Sequence, residues 1–175
     1  MKMLKCRIVV VVCGLLPFVA MAGLFSHKHQ FNPDPKIGTM EQHKLKGKTL
    51  ALDFSGVPES YKAKAAGHSF EITGIRRHTE VVARKVFANE KTVDDASKAD
   101  YQLKLALQLK LEGAAFGTRC TADATWEIYK GGKLVSTGKG NDTASFPTTS
   151  NGGRNCEIVT LKAMPAALDD ALTKL

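Results

Sequence analysis

The stretch Tyr101–Glu112, YQLKLALQLKLE, decides how this chain is read. Tyr101, Leu103, Leu105, Leu107, Leu109 and Leu111 alternate with Gln102, Lys104, Ala106, Gln108, Lys110 and Glu112, an unbroken period of two. Leu and Lys favour helices by propensity, so pattern and propensity disagree. Wound as a helix, the segment would scatter its leucines all round the cylinder. Laid out as a strand, it buries one face and wets the other. The spacing predicts a long strand.

Downstream, Thr118 to Lys130 places Cys120, Ala122, Ala124, Trp126 and Ile128 on one face of a second strand. Gly131-Gly132 supplies the positive φ values of a two-residue turn, and Lys133 to Gly140 returns as a third strand. A two-residue turn sets Val135 opposite Ile128 and Thr137 opposite Trp126. Residues 141–155, NDTASFPTTSNGGRN, read as a long turn-rich loop, a length that goes with mobility or function. From Glu157 to Leu175 a helical pattern runs through Ile158, Leu161, Met164, Leu168, Ala171, Leu172 and Leu175. Pro165 interrupts it, which predicts a kink or two shorter helices.

Upstream, Lys48 to Phe54 (KTLALDF) alternates as a first strand and Ser55-Gly56-Val57-Pro58 breaks it. Glu59 to Ser69 is polar and reads as a loop, and Phe70 to Ile72 as a short strand. With Thr73 as N-cap, Ile75, His78, Thr79, Val82, Ala83, Val86 and Phe87 recur on one face of a helix over about residues 74–88. Arg76, Arg77, Glu80, Arg84 and Lys85 fall off that face. Residues 23–46, rich in His, Lys, Pro and Gly, show neither period and read as a flexible N-terminal arm.

The first twenty-two residues read as an export signal: Lys2, Lys5 and Arg7 in front, an apolar stretch from Ile8 to Val19, and the small-residue site Ala20-Met21-Ala22. The apolar stretch is too short to span a bilayer of about 30 Å as a helix. Residues 47–175 are then a single domain, periplasmic or secreted, with no transmembrane segment after signal cleavage. Lipidation at Cys13 is the alternative anchor, although Val12 is not the small residue such a signal places before its cysteine. Cys6 and Cys13 leave with the signal. Cys120 and Cys156 remain, and in an oxidising compartment an isolated pair is most simply a disulfide.

The chain carries a formal charge of +8. An excess of that sign favours encounter with anionic surfaces such as lipid head groups, cell-wall polymers or acidic proteins. Nucleic acid is not an expected partner, because the basic residues are spread along the sequence. There is no GxSxG, phosphate loop, HExxH, EF-hand or dinucleotide fingerprint, and Gly138 and Gly140 lack the context of a phosphate site. Asp53 with Ser55 at the end of the first strand can be read as an acid or nucleophile, or as a loop-capping carboxylate. His27, His29 and His43 invite a metal reading, but no cysteine or carboxylate is placed to complete a shell. No metal, cofactor or catalytic residue is expected. The basic helix flank Arg76, Arg77, Arg84 and Lys85, and Phe146 in the 141–155 loop, are the expected binding patch.

The element order, with Ala99-Asp100-Tyr101 leading into the long strand and Trp126 to Lys133 forming the hairpin, resembles small periplasmic domains of Gram-negative bacteria. These include envelope lipoproteins of unassigned function and, more remotely, the amino-terminal domain of TolB and the curli secretion lipoprotein. The resemblance implies an α+β domain serving envelope assembly or secretion. The expectation is a mostly antiparallel sheet of about four strands with two helices on one face and one disulfide. Its function is binding, with another envelope protein or an anionic polymer as partner. A secreted inhibitor or binder of a hydrolase and a small hydrolase are the rival readings.

Overall fold

The computed structural model describes residues 25–40, 43–115 and 117–175. The signal reading over 1–22 and the Cys13 alternative lie outside these residues. Over the described residues the fold is α+β, with eight strands, two α-helices and the expected disulfide: β1 Ser26–Gln30, β2 Thr49–Gly56, β3 Ser60–Ala65, β4 His68–Thr73, α1 Ile75–Val86, β5 Lys91–Val93, β6 Tyr101–Ala114, β7 Gly117–Lys130, β8 Lys133–Phe146 and α2 Gly152–Thr173. The strands form two mixed sheets, β1-β4-β3 and β5-β2-β6-β7-β8, rather than one sheet of about four antiparallel strands. In the larger sheet β5, β2 and β6 run parallel, and β6, β7 and β8 form the antiparallel meander.

The meander is built on the alternation of β6. Leu103, Leu105, Leu107 and Leu111 are buried on the face shared with Cys120, Ala122, Ala124, Trp126 and Ile128. Each large aliphatic buried there contributes about 1.5–3 kcal/mol. Both helices cover that face: Trp126 lies among Val82, Ala83 and Val86 of α1 and Met164, Pro165 and Leu168 of α2, and its indole N–H donates to the Met164 carbonyl at 3.2 Å. The opposite face is polar, with Lys104 beside Glu127 and Gln108 beside Asp123.

Gly131 and Gly132 take positive φ, 56° and 75°, as the turn requires, and Lys130 pairs Lys133 across it. The register then shifts by one residue between Ile128 and Tyr129. Ser136 therefore faces Ile128 and Gly138 faces Trp126, where Val135 and Thr137 were expected. The shift turns Val135 outward and points Ser136, Gly138 and Gly140 at α2. A Cβ at Gly138 would run into the backbone of Ala167 and Ala171, and one at Gly140 into Ala163 and Ala167. The two glycines are seats for a helix lying close on the strand.

β8 continues through residues expected to be loop. Asp142 pairs Ala122, Ala144 pairs Cys120 and Phe146 pairs Thr118. The stretch has no apolar alternation because the helix lies over its inner side chains and leaves room for little beyond small groups. α2 begins at Gly152, five residues before the expected start, and runs through Pro165 to Thr173 as one helix. On the other side, Ser26–Gln30, within the segment expected to be a flexible arm, is a strand parallel to β4, and Phe31 and Leu45 are buried in the core. Ser60–Ala65, expected as a loop, pairs antiparallel with β4 and buries Ala65.

Candidate functional site

β5 covers only Thr49–Ala51 of β2, so the edge of β2 beyond Ala51 is open. A polar cleft of about 550 Å³ lies along this edge, lined by Asp53 and Ser55 of β2, Arg76, Glu80 and Arg84 of α1, and Gln102 of β6. The spacing of four residues repeats along α1 and sets its three side chains in one row. The cleft thus joins two features read separately in the sequence, the strand-end carboxylate and the basic helix flank.

The flank divides. The Arg76 guanidinium donates twice to the Val57 carbonyl, at 3.0 and 2.9 Å, and pairs with Glu59 at 2.6 Å, so its fork closes the β2–β3 corner. Arg84 lies 3.9 Å from Asp94 and donates to the Thr92 hydroxyl at 3.5 Å, long contacts that leave it the cleft's available cation. Arg77 is exposed and pairs with no carboxylate among the described residues. Lys85 ties Asp34 and the Pro35 carbonyl to the helix, and its hydrogen bond and charge hold the Asp34 carboxyl below the usual range. Phe146 stands at the far end of β8, 39% exposed, as the last strand residue and not as a loop tip. The structure therefore brings Arg76 and Arg84 to one cleft and leaves Lys85 and Phe146 outside it.

Asp53 accepts the backbone N–H of Ser55 at 2.9 Å and lies 3.9 Å from Lys104. Burial works to raise its pKa, but the Ser55 N–H, the Ser55 hydroxyl and Lys104 outweigh it, so the carboxyl sits below the usual carboxylate range. Such a group is ionised near neutrality and weakly basic, and it caps its turn as the simpler reading held. No histidine among the described residues hydrogen-bonds Asp53 or Ser55. The cleft can hold an anion on Arg84 or a hydrogen-bonding chain along the free edge of β2.

The histidines are engaged elsewhere. His27 and His68 share a hydrogen bond of 2.9 Å, His29 donates to Glu157 at 2.8 Å, and His43 lies 3.4 Å from Glu90. Glu157 also accepts the Asn32 N–H at 2.9 Å. Burial works to raise the Glu157 pKa and is outweighed by these two donors, so it too lies below the usual range. The three arm histidines thus face three separate partners. His78 is buried, as its inward position implied, and donates Nδ1–H to the Asn32 carbonyl at 2.7 Å. The Glu157 latch escaped the sequence reading because 128 residues separate its partners.

No protein-family model matches the chain. No curated protein matches it in sequence either. Among solved structures it is similar to protein XCC0632 from Xanthomonas campestris, of the DUF330 family, at 11% identity over 76% of this chain and 87% of that one, with a TM-score of 0.53. At that identity the likeness is one of fold. The neighbour's family has no characterised function, in keeping with the unassigned function of the domains this sequence resembles.

Proposed function

We propose that this chain is an exported, non-catalytic accessory of the cell envelope that acts by binding, with another envelope protein or an anionic envelope polymer at the β2 cleft and the adjoining Arg77. The observation that carries the compartment is the Cys120–Cys156 disulfide, both cysteines fully buried, since such bridges form and persist where the medium is oxidising. Binding over catalysis is supported by the cleft's chemistry: a low-pKa carboxylate whose bonds to Ser55 cap its own turn and leave it a weak base, a tied guanidinium and a loosely held one. The envelope resemblance, with TolB and the curli lipoprotein as its remote members, agrees with this reading and supplies no residue roles.

The test is crosslinking in the native host, read by intact mass. We expect a secreted form lacking the leader, with both thiols protected, and a crosslinked partner that disappears when Arg77 and Arg84 are replaced by alanine. A form with free thiols, or a partner captured equally by the double variant, overturns the proposal. The exposed ring of Phe146 favours a second reading, an inhibitor that inserts this residue into a hydrolase. Loss of the captured partner on Phe146→Ala and not on the arginine changes would favour it.

A further inference from the structure

The lysines look scattered in sequence, but the strand registers gather them. Thr49 opens β2 level with Lys91 of β5, Leu50 is level with Tyr101 of β6, and Lys130 meets Lys133 where β7 turns into β8. The same end receives the close of α2, where Lys174 donates to the Thr137 carbonyl at 3.3 Å. It also receives the turn before β2, where Lys44 donates to the Thr173 carbonyl at 3.1 Å. Lys44, Lys46, Lys48, Lys91, Lys130 and Lys133 are exposed there, and none makes an ion pair among the described residues. The other described lysines without an ion pair, Lys36, Lys64 and Lys139, lie elsewhere.

Among the described residues, the carboxylates near this end are committed. Glu90 accepts the Gly47 N–H at 2.6 Å and faces His43, with a side chain 2% exposed; Asp100 accepts the Thr49 N–H at 2.8 Å; Asp170 accepts the Lys139 N–H at 2.9 Å and holds Lys174; Asp95 pairs Lys98. Among the described residues the end thus presents exposed ammonium groups without carboxylate partners, Lys130 resting 5.4 Å over the Tyr101 ring, and spends its carboxylates largely on backbone donors. At its tip the β8 register shift turns two consecutive aliphatic side chains to solvent, Leu134 at 52% and Val135 at 42% exposed. They stand beside Lys130 and Lys133, next to two glycines with no side chain to hold a surface away.

We propose that this pole, the β7–β8 hairpin tip with the 44–48 turn, docks on an anionic phospholipid surface, the lysines on headgroup phosphates and Leu134 and Val135 in the boundary beneath them. Unpaired lysines round an exposed aliphatic pair are complementary to a bilayer, which offers negative charge above apolar chains. A soluble polyanion would use the lysines and leave the aliphatic pair without a role. The surface is separate from the β2 cleft, and its test is indifferent to the fate of the crosslinking experiment.

The test is co-sedimentation of the full chain with phosphatidylcholine vesicles, with and without phosphatidylglycerol, across a salt series. The readout is the increment that anionic lipid adds, which cancels any binding shared by both vesicle types. We expect an increment that shrinks as salt rises and falls about 5-fold for each of Lys130→Gln and Lys133→Gln. It should fall again for the pair Leu134→Ser and Val135→Ser. These positions are exposed, so the variants keep the fold; Lys46→Gln with Lys48→Gln gives the same reading away from the hairpin. Equal binding to both vesicle types overturns the proposal. So does an increment that the lysine variants lower and the Leu134 and Val135 variants leave intact, which would assign the pole to a soluble polyanion such as polyphosphate.

Discussion

His78 and His43 are buried with different consequences from those of a solvated imidazole. His78 is fully buried and its Nε2 has no partner; the His43 side chain is 2% exposed, its Nδ1 accepts the Leu45 N–H at 3.2 Å, and its ring meets Phe87 edge-on. Burial lowers both pKa values, more than the Asn32 carbonyl and Glu157 raise that of His78, and more than Glu90 raises that of His43. Below the ordinary value of about 6.5 the unfolded chain therefore takes up protons that the folded chain refuses. The stability these residues contribute is complete above that pH and is lost as pH falls from it toward the lower folded values. Each can add at most about 1.4 kcal/mol per pH unit to the slope. Urea midpoints between about pH 7.5 and pH 5.5 should fall, and His78→Gln should flatten the profile. A parent and variant with parallel profiles would show that His78 protonates as freely when folded as when unfolded.

At the scale of elements, the contact between β8 and α2 fixes what the strand can carry. Ala163, Ala167 and Ala171 recur every four residues down one side of α2 and lie over Gly140 and Gly138, while Ser136 donates to the Ala171 carbonyl at 2.6 Å. Gly138→Ala pushes a methyl into helix backbone, which cannot rotate away as a side chain can. It should cost about 3 kcal/mol or more, against about 0.5 or less for Lys139→Ala, whose side chain is exposed. Denaturant midpoints read the difference, and a Gly138→Ala protein as stable as the Lys139 variant would mean that the helix does not lie so close. The same contact explains which strands the sequence disclosed. β6 and β7 announce themselves because large side chains fill the space under α1 and α2. The second half of β8 is silent because the close helix admits small side chains there, which have no hydrophobic period. β1 is silent for another reason: His27 and His29 face inward and pair with His68 and Glu157, residues the sequence places far away. In the cleft, Asp53, Ser55 and the arginines were visible as residues. Their convergence was not, because it follows from β5 being three residues long.

On the scale of the whole molecule, one covalent bond joins the sheet to its covering helix. Cys120 of β7 and Cys156 of α2 close a loop with a sequence separation of 36, which contains all of β8 and the chain reversal after it. The chain-entropy account assigns such a closure about 4 kcal/mol, acting through the unfolded state. α2 also supplies Gly152 and Gly153 against Phe70 and His29, and Glu157 to the His29 latch, so the small β1-β4-β3 sheet docks on the end of the helix that the disulfide holds. Loosening that end should therefore release both the helix and the small sheet. Replacing Cys120 and Cys156 with alanine should lower Tm by roughly 10 °C, since each kcal/mol moves a domain of this size by about 2–4 °C. Hydrogen exchange should then rise in β1 and β4 as well as in the first turns of α2, while the centre of β6 stays protected. Because both sulfurs are buried, native protein should be reduced only as fast as this end opens, with a rate that rises in mild denaturant. A double variant that loses stability uniformly, with β1 and β4 no more exchangeable than β6, would show that the small sheet holds its place without the stapled helix.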